Sequence, residues 1–203
     1  MALERRSALA AHPLFQPGTP VALPLGGTAA VLLAERRPLS ILQVSAFAAS
    51  GAEAGRRLAG GLGLDAPPPN RFTADAGTSL RAIGPGIWQI VGAAGTLPDA
   101  ASLRATLAGV ATVVDLSHAR TALNISGAAA IRTLAKHCGL DLHSAKFPAG
   151  SATNTRFGHI GMTLTRIDDA PSFELLVFRG YAEFVFDALV EAAGEFGLQV
   201  VLA

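Results

Sequence analysis

Five places in this 203-residue chain hold side chains able to do chemistry. Ser117-His118 sets a hydroxyl beside an imidazole, the groups of nucleophilic catalysis. His137, Cys138 and His143 offer zinc-compatible nitrogen and sulfur. Asp168-Asp169 puts two carboxylates side by side, as acid–base chemistry uses. Gly61-Leu62-Gly63-Leu64-Asp65-Ala66 fits G-x-G-x-x-A, a pattern in which glycines let backbone approach a pyrophosphate. Arg179, between a strand and a helix, could grip a carboxylate with two parallel hydrogen bonds.

Each has a structural alternative that its context favours. Ser117 and His118 are sequence neighbours, so their side chains diverge and no nucleophile–base geometry follows. His137 and Cys138 lie about 100° apart around a helix and do not converge on one ion. Asp141 and His143 suit local capping at the helix exit, and Cys138 reads as a small core residue. Asp168-Asp169-Ala170-Pro171-Ser172 is a turn, where aspartate is favoured for backbone reasons. The glycine pattern closes a helix and runs into three prolines, whereas a nucleotide loop leaves a strand and opens a helix. An arginine placed like Arg179 more often bonds helix-end carbonyls or a partner chain. The sequence therefore predicts no catalytic, cofactor-binding or metal-ligating residue.

The elements that position these residues form a repeat. The first unit reads strand (39–47), helix (52–62), hairpin strands (80–83 and 87–91) and helix (98–108). The second reads strand (121–125), helix (127–138), hairpin strands (159–167 and 173–178) and helix (181–196). The helix ends LAGGLGLD and LAKHCGLD correspond, as do Arg81-Ala82-Ile83 and Thr165-Arg166-Ile167. Val113–Asp115 and Thr121–Ile125 read as a strand pair feeding the helix, with Ser126 as its N-cap and Gly139 as its left-handed stop. Ile131, Leu134, Ala135 and Cys138 form the buried stripe of that helix. The last helix has the clearest stripe: Ala182, Val185, Phe186, Leu189, Ala193 and Phe196. Two short strands flank a turn at Gly26-Gly27, and residues 198–202 add an edge strand or tail. Trp88 reads as hairpin core or as an interface aromatic. The predicted fold is α+β: two pseudo-symmetric βαββα units with mixed or antiparallel sheets and helices on one side. Its parts are an arm and hairpin (1–38), a first unit (39–110) and a second unit (111–203) within one compact domain.

Composition narrows the function. A formal charge of +1 with 15% charged residues gives no basic face, which argues against nucleic acid. The single cysteine excludes an internal disulfide framework and suits a reducing cytoplasm. The longest uncharged run, 17–34, is interrupted by prolines and glycines, so no membrane span is expected. The N-terminus does not read as a signal peptide. A mean hydropathy of +0.41 is high for so few charges and raises the expectation of a subunit interface, although alanine contributes much of it.

Asp115-Leu116-Ser117, Ile125-Ser126-Gly127, and Cys138-Gly139-Leu140-Asp141-Leu142-His143 with Phe147-Pro148 resemble the gamma subunit of heterotetrameric sarcosine oxidase. The similarity continues through 153–155, 173–178, Arg179 with Tyr181-Ala182, and the last helix. The resemblance implies the fold of the folate-binding lobe of aminomethyltransferases. It also implies a non-catalytic gamma subunit that assembles with alpha, beta and delta subunits. Such a complex demethylates sarcosine to glycine, hydrogen peroxide and formaldehyde or methylenetetrahydrofolate. FAD, FMN, NAD and zinc would sit on the partner subunits, with none in this chain. Leu14, Phe15, Phe147 and Arg179 are the expected interface residues. A departure from the family is Gly86-Ile87 before Trp88, where an acidic pair is usual. Two other readings stay open: a gamma-like subunit of another N-methyl amino acid dehydrogenase, and a stand-alone module binding folate or a small acid.

Overall fold

The computed structural model describes residues 7–15, 22–23, 29–75 and 77–201. In chain order the strands and helices are β1 (Ala22–Leu23), β2 (Val31–Arg36), β3 (Leu39–Ala46), α1 (Gly51–Leu62), β4 (Phe72–Asp75), β5 (Thr78–Gly84), β6 (Ile87–Ala93), α2 (Ala100–Thr106), β7 (Ala111–Asp115), β8 (Arg120–Ser126), α3 (Ala130–Ala135), β9 (Ala152–Phe157), β10 (Ile160–Asp168), β11 (Ser172–Phe178), α4 (Ala182–Ala193) and β12 (Leu198–Val201). They form two α+β units, each with its own sheet and core.

One unit spans residues 38–118 plus 150–153, around a sheet ordered β4-β5-β6-β3-β7. Period-2 alternation sends Leu42, Val44, Leu80, Ala82, Trp88 and Ile90 to one face, where they pack against Ala54, Leu58, Leu103 and Leu107 of the α1 and α2 regions. Trp88 is 9% exposed and belongs to this core. Helix α1 ends at Gly63, whose φ of 65° only glycine adopts without strain. There the Gly63 N–H reaches the carbonyls of Ala59 and Gly60. Helix α2 starts at Asp99, whose carboxylate accepts from the N–H groups of Ala101 (3.0 Å) and Ser102 (3.2 Å).

The other unit holds the described residues of 1–37, 119–149 and 154–203, around a sheet ordered β1-β12-β2-β8-β11-β10-β9. Leu123, Ile125, Leu164, Phe173, Leu175 and Val177 pack against the stripe of α4, namely Ala182, Val185, Phe186, Leu189 and Ala193. Leu9 of the N-terminal segment enters the same core, and Ser7 bonds the Glu35 carboxylate.

The repeat is real, but its leading strands are exchanged. β2 precedes β3 in sequence yet pairs antiparallel with β8, while β7 precedes β8 yet pairs antiparallel with β3. Val113–Asp115 and Thr121–Ile125 thus lie in different sheets instead of pairing. Packing keeps a boundary near 38 but assigns β2 with the second repeat, and it moves the boundary expected near 110 to 118, so that β7 stays with the first. β1 pairs with β12, not β2, and β12 runs parallel to β2 in the sheet interior instead of along an edge. Gly26-Gly27 lies outside the described residues.

Ser126 ends β8 and caps no helix. Gly127 follows at φ 109°, and α3 begins later with Ala129 at its N-cap position and no side-chain cap bond. The α3 buried face is Ala130, Thr133 and Leu134, with Cys138 beyond it. Ile131 is half-buried and Ala135 exposed, a rotation of the stripe expected from sequence. Gly139 is not left-handed. Strands β4 and β9 are additions to the expected elements.

Candidate functional site

The sequence candidates fall into structural places. Ser117 Oγ accepts from the Ile41 N–H at 2.9 Å, and the Ser117 N–H donates to Asp115 Oδ1 at 2.8 Å, so the serine is a turn residue fastened to a strand. His118 is exposed. Gly61–Ala66 is the α1 C-terminus described above, the wrong end of a helix for a pyrophosphate. Asp168 ends β10 and Asp169 lies in the turn to β11, both exposed. Asp141 Oδ1 accepts from the His143 N–H and His143 Nδ1 from the Ala145 N–H, which is local capping. Cys138 is in the core, and His137 stacks on Phe157 with centroids 4.7 Å apart. Among the described residues no three His, Cys, Asp or Glu side chains group as a metal site.

The interface candidates separate. Phe147 is 5% exposed and sits in its own unit's core, so its side chain is not offered to a partner. It is held there because Arg166, also buried, donates from Nη1 to the carbonyls of Phe147 (2.9 Å) and Leu142 (3.4 Å). Leu14 is half-buried against the same core. The side chain of Phe15 lies outside the described residues. Arg179 is half-buried in a single 3-10 turn, Arg179–Tyr181, and its N–H donates to the Ala119 carbonyl at 2.9 Å.

Two features escaped the sequence reading. The first is a transverse row of polar side chains on the helix-free face of each sheet. In one unit Gln43, Gln89 and Arg81 are in register across β3, β6 and β5. In the other, Asn124, Glu174 and Thr165 are in register across β8, β11 and β10. The rows occupy equivalent positions of the repeat. Gln89 is 0% exposed, and among the described residues neither its Oε1 nor its Nε2 is hydrogen-bonded. Glu174 is equally buried and accepts from Arg36 at 2.7 Å. Nearby on β8, Arg120 lies over the Phe178 ring, its Cζ 3.7 Å from the centroid, and burial pushes its pKa down. The available signal was one polar residue inside each apolar run, IWQIV and FELLV.

The second is a groove of about 500 Å³ in the unit containing α4, lined by His137, Phe157, His159, Ile160, Tyr181 and Phe184. Tyr181 is 52% and Phe184 61% exposed. Neither feature brings a nucleophile, a general base and an orienting group together, and both suit recognition better than bond-breaking.

A model of the sarcosine oxidase, gamma subunit family matches residues 45–195. The chain belongs to that family. Its role is that of a gamma-type subunit. The gamma-family chain aligns with a solved structure of heterotetrameric sarcosine oxidase from Corynebacterium sp. U-96, in complex with pyrrole 2-carboxylate. The TM-score is 0.78 and the identity 26%, over 94% of this chain and 95% of that one. It also shares the fold of the glycine cleavage system aminomethyltransferase T from Bartonella henselae, with a TM-score of 0.65 and 20% identity. That match covers 85% of this chain but 48% of the other. No curated protein matches the gamma-family chain. The α+β repeat and the likeness to an aminomethyltransferase lobe expected from sequence are both present. No described helix is long and apolar enough to cross a membrane.

Proposed function

We propose that this chain is the non-catalytic gamma subunit of a heterotetrameric complex that oxidatively demethylates sarcosine. Its partners are alpha, beta and delta subunits, which carry the FAD, FMN, NAD and zinc, and the complex works in the cytoplasm. The observation that carries the reading is the near full-length alignment with a chain of a heterotetrameric sarcosine oxidase. The capped turns and core positions of Ser117, Cys138, Asp141 and His143 support a scaffold role, because each polar group is engaged in holding the fold.

Affinity purification of the tagged chain, co-expressed with the other subunits, tests the assembly. The expected product is a yellow complex with flavin absorbance that consumes oxygen with sarcosine. A colourless chain eluting alone overturns the subunit reading. Oxygen uptake with another N-methyl amino acid but not with sarcosine moves the assignment to a related dehydrogenase or oxidase and overturns the substrate.

A further inference from the structure

We propose that the aromatic groove and the acidic ridge of α4 form one docking surface. Its occupant is a segment of a partner subunit that inserts an apolar side chain flanked by lysines or arginines. The inference rests on the gamma-subunit reading and names the surface through which that subunit assembles.

Shape gives the first argument. A groove of about 500 Å³, walled by Phe157, Ile160, Tyr181 and Phe184, accepts a large apolar side chain. Two big aromatics stand more than half exposed at and just before the first turn of α4, next to that opening. Contiguous apolar surface of this kind marks recognition sites, and Tyr and Phe are enriched at interface centres.

Charge supplies the second argument and the identity of the occupant. Glu183, Asp187 and Glu191 recur at intervals of four along α4, so their carboxylates follow one ridge and repel one another, and Glu195 follows in the 3-10 turn Gly194–Phe196. Two of them are engaged within the chain: Asp187 Oδ1 is in hydrogen-bond contact with His12 Nε2 at 2.8 Å, and Lys136 pairs with Glu195. Glu183 is exposed in the first turn, where the helix dipole favours it. Glu191 is exposed in the last turn, and its carboxylate has no ion-pair partner among the described residues, which leaves it open to a cation from outside. Phe184 shares a face with Asp187 at i+3 and Glu191 at i+7. The apolar contact and the unpaired carboxylate are therefore about 10 Å apart along one line. A complementary segment carries its basic group at that distance from its apolar one.

The test uses the complex of this chain with its co-expressed partner subunits. Carbodiimide, which joins carboxylates to lysine amines in direct contact, is expected to couple Glu183 or Glu191 to a partner lysine, as read by mass spectrometry of the cross-linked peptides. Phe184→Ser and Glu191→Lys are each expected to weaken assembly at least about tenfold, the scale of an interface hot spot. Both side chains are exposed, so the free variants should melt with the parent. If the parent assembles and both variants assemble equally well, the docking surface is overturned while the subunit reading stands. If the parent fails to assemble, both fall. If Phe184→Ser abolishes self-association instead, the occupant is a second copy and the proposal is wrong.

Discussion

Arg166 Nη1 donates to the carbonyl of Phe147 at 2.9 Å, fastening the loop after α3 to strand β10 from inside the core. The bond makes both residues structural. Arg166→Met removes the donors to three carbonyls, those of Phe147, Leu142 and Asp168, and leaves the first two buried, at about 2–4 kcal/mol. Phe147→Ala empties a core position, at about 3–5 kcal/mol. Urea unfolding of the free chain should show both losses. A fully stable Phe147→Ala chain with impaired assembly would return Phe147 to an interface.

Gln89 predicts the opposite sign. Its buried carboxamide lacks a hydrogen-bond partner among the described residues, so Gln89→Leu discards a desolvated polar group and keeps the volume. The variant should melt at or above the parent temperature by calorimetry. A clear loss of stability would mean that a water molecule or ligand satisfies the amide.

Gly127 tolerates no side chain. At φ 109° an added Cβ would stand 2.4 Å from the Ala30 carbonyl oxygen, so backbone, not a pliant side chain, would have to move. Gly127→Ala should cost at least about 2 kcal/mol, measured by denaturant midpoint at unchanged slope. A parental midpoint would contradict the close approach of β2 to this turn.

Glu53 provides a pH signature. Hydrogen bonds from Arg57, at 2.6 Å, and then Arg56 hold its pKa below the ordinary glutamate value of 4.5. With the folded value depressed, its contribution to stability is present above 4.5 and fades as pH falls through the lower folded value. The side chain is exposed, so the effect is small and salt-sensitive. Carboxylate titration by NMR should give a depressed midpoint that rises towards the ordinary value in Arg57→Gln. An unchanged midpoint in that variant would remove Arg57 as the cause.

Alternation and helical spacing exposed the repeat, the two hairpins and the α4 stripe because these are local patterns. The correspondence of Arg81 with Thr165 was equally readable, and the registers through Gln89 and Glu174 bear it out. Sheet membership was not readable. Period 2 says which face a residue takes but not which strand lies beside it, and so β7 looked like the partner of the next strand. Ser126 has the composition of a cap, but the left-handed Gly127 intervenes before α3 starts. Phe147 stands beside Pro148 in an irregular segment with no periodicity to show that it points inward. Strand β4 alternates little in burial, leaving almost no pattern to read. The groove assembles residues from 137 to 184, a separation that composition cannot bridge.

The exchange of β2 and β7 sets an order on synthesis. The sheet around β3 lacks its last strand until residue 115 has left the ribosome, and β2 must wait for β8 and then for β12, near the C-terminus. The five-stranded sheet can close from residues 39–115 alone, whereas the seven-stranded sheet joins strands from before and after that stretch, so its early intermediates expose unpaired edges. Loss of β12 would leave β1 without its neighbour and uncover an edge of β2 inside the seven-stranded sheet.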